Sequence, residues 1–236
     1  MGKVTILKET IKNPLSFMGA IAGTAYNSDT SSQEKNKKRG LECVRAGHGR
    51  MWEFCDVFVE IEGYSSRFAR ELMRHVGDGL TCIQRSTRYV NEDNYEYYTP
   101  PSIKKNPVAL EAYETSMNEI QATYNHLVQN LKIHKEDAAN ILPLGMDTVL
   151  VIKHNARTWI QMAEVRLCNR AYIEFRQFMK QFMQALKEYS PEWRIIVDEF
   201  FKCKCETSEW CLETYGCGKK PQLPVVKVHK VERKTH

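Results

Sequence analysis

Between positions 74 and 89 the chain reads Arg74-His75-Val76-Gly77-Asp78-Gly79-Leu80-Thr81-Cys82-Ile83-Gln84-Arg85-Ser86-Thr87-Arg88-Tyr89. Guanidinium groups here stand close to an imidazole, two glycines and several hydroxyls. Those groups grip phosphates and carbonyl oxygens, because arginine stays charged and donates hydrogen bonds in a planar fork. Glycines in the loop leave backbone N–H groups free to meet anionic oxygens. A second set, Arg157, Gln161, Arg166 and Arg170, follows at one-turn spacings, with its two pairs aimed in different directions. From pattern alone such arms fit solvent better than a ligand. The chain holds no GxGxxG, P-loop, HExxH or GxSxG. Cys82 and His75 share one motif but show no third partner, so Cys82 reads as a structural thiol.

The elements that must carry these groups follow from periodicity. Residues 3–7 read as a strand, and Leu15 to Ala25 as a short helix after the Asn13-Pro14 turn. Residues 27–40, with the basic run Lys35-Asn36-Lys37-Lys38-Arg39, read as a mobile, solvated loop. Residues 54–62 alternate, with Val57, Val59 and Ile61 on one face, and predict a half-buried strand. Ser65 or Ser66 then caps a helix through Phe68, Leu72 and Met73, so Arg74-His75 sits at a helix C-terminus. Pro107 opens a long helix striped by Tyr113, Met117, Ile120, Tyr124, Leu127 and Leu131. Glu136 to Leu142 reads as one or two turns stopped by Pro143, and Asn155 to Leu186 as a second long helix with Phe175, Phe178, Phe182 and Leu186 on its apolar face. The expectation is an α+β domain with a mainly antiparallel sheet and long helices.

The 236 residues are 42% hydrophobic, enough for one substantial core. No run approaches eighteen apolar residues, so no membrane span is expected. The first residues are too polar for a signal peptide; Met1-Gly2 begins like a myristoylation site, but the strand reading of the flank opposes it. A net charge of +5 suits an anionic small molecule such as a nucleotide or a folate, and would also suit weak nucleic-acid binding; the basic residues are dispersed apart from Lys35–Arg39 and the C-terminal tail. Of eight cysteines, Cys43, Cys55, Cys82 and Cys168 look like buried reduced thiols, consistent with a reducing cytoplasm. Cys203, Cys205, Cys211 and Cys217 crowd the tail without the paired CxxC spacing of a zinc ribbon. Reduced thiols or a labile disulfide therefore rank above zinc, and no metal ligand is assigned.

The signature resembles that of the flavin-dependent thymidylate synthases, the ThyX family, whose motif runs R-H-R, a spacer, then S-x-R-Y. Further anchors follow in the same order. Gly47-His48-Gly49-Arg50-Met51-Trp52-Glu53-Phe54 is similar to the family's G-H segment with its downstream glutamate. Ala138-Ala139-Asn140-Ile141-Leu142-Pro143-Leu144 is similar to A-R-x-x-L-P-L. Asn155-Ala156-Arg157 and Arg166-x3-Arg170-Ala171-Tyr172-x-Glu174-Phe175-Arg176 are similar to the N-x-R and R-A-Q-W-E-I-R region. The resemblance spans about residues 10 to 200. It implies a ThyX-like catalytic domain over 1–200 and a Cys-rich, basic tail over 201–236.

The resemblance also implies an activity and a set of roles. The family makes dTMP from dUMP: NADPH reduces bound FAD, methylenetetrahydrofolate donates the carbon, and reduced flavin supplies the hydride. Arg74, His75, Val76, Glu53, Asn155, Arg157, Gln161 and Arg170 would serve the FAD site. Glu71, Arg74, Gln84, Arg85, Ser86, Thr87, Arg88 and Asn140 would hold dUMP. Arg166 would bind the uracil carbonyl and act as the nearest thing to a catalytic residue, and His48 would sit near the folate. The family's homotetramers share active sites between subunits, which would use the Tyr113–Leu131 stripe; neither nucleic acid nor a membrane is an implied partner.

The chain departs from the family pattern in four places. Val76 replaces the third residue of R-H-R, Asn140 stands where many members carry arginine, and Gln84 replaces the usual glutamate. The Gly77-Asp78-Gly79 spacer is longer, and its amides are candidates to replace the lost arginine at a phosphate. Methylation of UMP or a related uracil nucleotide, and a catalytically silent nucleotide-binding homologue, stay open as alternatives.

Overall fold

A computed structural model describes residues 2–77, 79 and 81–223. The chain runs β1 (Lys3–Ile6), α1 (Pro14–Thr24), α2 (Gln33–Arg45), a 3-10 segment (Gly49–Phe54), β2 (Asp56–Ser65), α3 (Ser66–Leu72) and β3 (Thr81–Gln84). It continues through α4 (Pro101–Lys104), α5 (Pro107–Asn125), α6 (Lys135–Ala138), β4 (Asp147–Asn155), α7 (Ala156–Arg166), α8 (Ile173–Tyr189) and α9 (Pro191–Phe200). The four strands form one antiparallel sheet in the order β1-β2-β4-β3. The expected α+β class with a mainly antiparallel sheet is what the chain adopts.

The alternation read in 54–62 places Val57, Val59 and Ile61 at zero exposure. They meet α8, whose Phe175, Phe178, Phe182 and Leu186 are all fully buried. Trp159 of α7 completes this layer, with its ring centroid 4.2 Å from that of Phe182. Burying each such side chain contributes about 1.5–3 kcal/mol, so this aromatic seam is the main force joining sheet to helices.

Several expectations are corrected. The stretch 27–40 is not a loop throughout: α2 begins at Gln33, with Ser32 as its cap. The reason is close packing against α1. A Cβ on Gly40 would lie 2.0 Å from the Leu15 carbonyl oxygen, and one on Gly19 would lie 1.7 Å from that of Asn36. Two glycines thus let the helices touch backbone to backbone, while the charges of the basic run face outward. Arg39 turns back instead, donating to the Gly19 carbonyl at 3.0 Å.

Asn155 to Leu186 is not one helix. Asn155 ends β4 and caps α7, its Oδ1 accepting from the Thr158 N–H at 2.9 Å. The helix stops at Arg166, a turn closes with the Ala171 N–H donating to the Cys168 carbonyl, and α8 starts afresh at Ile173. No glycine or proline marks this break. It is fixed by Glu174, a buried carboxylate that accepts from the Ser65 N–H at 2.7 Å and its hydroxyl at 2.6 Å. Arg166 and Arg170 therefore do not share a helix. Of the α5 stripe, Met117 and Tyr124 are buried, whereas Leu131 is 55% exposed beyond the helix proper.

Candidate active site

The signature leaves α3 as expected, with Ser65 capping that helix through a 3.0 Å bond from the Phe68 N–H. Its first half then lies against α7. Gly77 adopts φ +53°, and a Cβ there would fall 2.3 Å from Thr158 Oγ1. Only a residue without a side chain lets the loop approach the first turn of α7 this closely. The second half forms β3, the sheet-edge strand paired to β4. Asp78 and Leu80 fall outside the described residues.

Arg166 is the most engaged of the expected residues. Its Nε donates to His75 Nε2 at 2.8 Å, and its Nη1 lies 2.9 Å from Glu71 Oε2. Its guanidinium carbon stands 4.5 Å from the centroid of the Phe175 ring, a cation–π contact. His75 packs edge-on against the same ring, 5.6 Å between centroids. Burial, then the positive charge of Arg166, pushes the imidazole down to about 4. His75 is therefore neutral at pH 7 and free to accept from Arg166. Neither polar contact uses Nη2 of Arg166. His75, Arg166, Arg170 and Glu213 line one cleft of about 300 Å³.

The other expected residues fall into three groups. Arg157 pairs with Glu53 of the 3-10 segment, both exposed, and Gln161 follows one turn along on the same exposed side. Arg74 and Val76 are exposed at the end of α3. Arg88 pairs with Glu136 at 3.2 Å while Asn140 donates to the Asp137 carbonyl at 3.0 Å, so both gather around α6. Ser86 Oγ accepts from the Arg88 N–H at 3.3 Å, and Thr87 is half-buried beside it.

Three expected contact residues are committed to the fold. Asn155 spends its side-chain oxygen on the α7 cap. Gln84 donates to Thr148 Oγ1 at 3.3 Å. Arg85 Nη2 lies 3.1 Å from Asp147 Oδ1, and its Nε lies 3.1 Å from Glu92 Oε1, with the N–H not aimed at that oxygen. Arg170 donates to the Tyr215 carbonyl and lies 3.5 Å from Glu213, so the tail folds over the α7–α8 turn. His48 has an exposed ring and uses its backbone to start the 3-10 segment.

Sequence reasoning missed Arg67 and Arg70. With Arg74 and Glu71 they line an open groove of about 490 Å³ along α3, closed on one side by Leu144. The signal was present as arginines at i, i+3 and i+7, two on α3 and the third just past its end. Phe175 was read only as core, although the ring also supports Arg166 and His75.

An antiparallel sheet backed by amphipathic helices, with arginines gathered where α3, α7 and the tail meet, defines an α+β protein with a cluster of guanidinium groups at one corner. Residues 5–192 match the family described as thymidylate synthase complementing protein, and the chain belongs to that family. A flavin-dependent thymidylate synthase of Nitratidesulfovibrio vulgaris is 26% identical over 93% of this chain and 95% of its own length. One of Pyrococcus furiosus is 28% identical over 97% and 98%. The fold is similar to that of crystallised ThyX from Helicobacter pylori complexed with FAD and dUMP, with TM-scores of 0.63 and 0.66 in two structures. Sequence identity there is 21% and 20%, over 82% and 85% of this chain and 98% and 99% of those chains. The resemblance read from the motifs and the enzyme class it implied both stand. Among the described residues, no helix is long and apolar enough to cross a membrane.

Proposed function

We propose that this chain is a flavin-dependent thymidylate synthase that converts dUMP to dTMP, taking the carbon from methylenetetrahydrofolate and reducing power from NADPH. The observation that carries the reading is Arg166, held on three sides by Glu71, His75 and Phe175 with one nitrogen left for a ligand. A guanidinium so fixed accepts no competing rotamer and costs little reorganisation when it meets a carbonyl oxygen. It favours negative charge on the uracil ring, and so ionisation at N3.

The residues present fit FAD. The Gly77 contact brings the loop amides beside the N-terminus of α7, where Arg157 stands exposed and the helix dipole is positive. Arg74, His75, Val76, Gln161 and Arg170, with the Glu53–Arg157 pair, are the groups that would hold it, and Asn155 would serve by setting the helix that presents Arg157. When bound, the flavin supplies the hydride. Arg67 and Arg70 join Arg74 and Glu71 in a groove suited to a phosphate-bearing ligand. Arg88, Ser86, Thr87 and Asn140 supply further donors for dUMP near α6, while Gln84 and Arg85 stiffen the loop that carries them. His48 is assigned to the folate side. The same reading makes residues 1–200 the catalytic domain, places the protein in the cytoplasm and assembles it as a homotetramer with shared sites.

Release of tritium from C5-labelled dUMP in the presence of methylenetetrahydrofolate and NADPH tests the whole reading. Flavin-loaded protein that releases none with dUMP would overturn it. Release from UMP instead would transfer the activity to the ribonucleotide.

A further inference from the structure

After Phe201 the described chain has almost no core of its own. Only two residues between 202 and 223 are buried, and both are cysteines, Cys203 and Cys211. Regular structure is limited to a 3-10 turn at Lys204–Glu206 and one bridge between Cys211 and Gln222. A segment of this length cannot hold itself by apolar burial and needs a staple. Five sulfurs, from Cys168, Cys203, Cys205, Cys211 and Cys217, line a single void of about 60 Å³. The chain has eight cysteines, so five of its eight thiols border one void.

The geometry points to a structural zinc site in which Cys203, Cys205 and Cys211 of the tail and Cys168 of the α7–α8 turn bind one Zn²⁺ as four thiolates. The Sγ atoms of Cys203 and Cys205 are 3.6 Å apart. Two thiolates on one tetrahedral zinc at bonds of about 2.3 Å stand about 3.8 Å apart. Binding releases the four thiol protons and leaves the centre at a net charge of −2. Lys204, Lys219 and Lys220 border the same void and offset that charge. Among the described residues no three such groups already stand arranged around a metal position. Binding would therefore require the Cys168 and Cys211 thiols to close on the Cys203–Cys205 pair, with Cys217, the exposed member, left outside.

The site braces the wall of the catalytic cleft. Arg170 and Glu213 line both the sulfur void and the cleft that holds His75 and Arg166. The inference stands apart from the proposed activity, because it is read from metal content.

Full-length protein, expressed with zinc and purified with a phosphine reductant, is analysed by elemental mass spectrometry. About one zinc per chain is expected, falling to below about a tenth in Cys205→Ser while Cys217→Ser and Cys43→Ser retain it. Because Cys205→Ser risks misfolding, wild-type protein is also treated with a mercurial, and zinc release is followed with a chromogenic chelator. Metal-free wild-type protein, zinc retained in Cys205→Ser, or, in a preparation made without reductant, a denatured chain with six rather than eight titratable thiols would each overturn the assignment, the last by revealing a disulfide.

Discussion

Replacing Arg166 with alanine separates binding from chemistry. The substitution removes a cation that touches Glu71, His75 and the Phe175 ring at once. Glu71 and Arg166 are both part-exposed, so water partly compensates the orphaned carboxylate. The stability loss is then about 1–2 kcal/mol, the low end for an unpaired polar group. The loss in turnover is larger. A preorganised donor aimed at developing charge is worth about 100- to 1,000-fold in kcat, or about 2.7–4 kcal/mol. Flavin absorbance of the purified variant should persist, since among the groups proposed for FAD only His75 touches Arg166, while Arg74, Glu53, Arg157 and Gln161 stand apart from it. Tritium release from labelled dUMP should fall by at least a hundredfold. Arg166→Lys should recover little of it, because an ammonium cannot meet His75 and Glu71 in one plane and still present a third nitrogen. A folded, yellow Arg166→Ala protein with turnover within about threefold of wild type would refute the argument, since no preorganised donor of the size above could then have been lost.

Further predictions follow from the same contacts. The His75 imidazole is depressed to about 4, so the unfolded chain binds the extra proton first and stability rises with pH between about 4 and 6.5. The full shift would be worth about 3 kcal/mol, reduced to about 1–2 kcal/mol by solvent screening of a part-exposed ring; urea unfolding across that window, flattened in His75→Gln, measures it. Gly77→Ala places a methyl group against Thr158 at a positive φ and should cost about 1–3 kcal/mol with weaker flavin retention; Gly77→Pro with unchanged FAD affinity would refute the role given to the loop amides. Glu174→Ala strands the Ser65 N–H and should lower stability by about 2–3 kcal/mol, read from the denaturant midpoint. Glu53→Gln breaks an exposed pair, so unfolding free energy should move by less than about 1 kcal/mol while flavin affinity drops; the reverse pattern would make the pair structural.

The sheet and the placement of the signature were legible because Val57, Val59 and Ile61 alternate and Ser65 is a strong cap. The break after Arg166 was not legible. It depends on Glu174 finding Ser65 across more than a hundred positions, and a single sequence carries no mark of that pairing. The helix at Gln33–Arg45 was hidden for a similar reason, since it packs against α1 through glycine backbone at Gly40 and only Leu41 and Val44 near its end bring apolar side chains to the core. At the site, residue types pointed to anion binding, but only geometry separated arginines that face a cleft, such as Arg166, from Arg85, which is consumed by Asp147. Phe175 could not be distinguished from its core neighbours until Arg166 was seen above its ring.

The strand β3 belongs at once to the signature and to the rim of the sheet, and it carries Ile83 at 76% exposure. Its outer N–H and C=O groups form a ready template for another chain. An exposed edge of this kind favours self-association at high concentration, and Ile83→Lys should reduce it, read by light scattering.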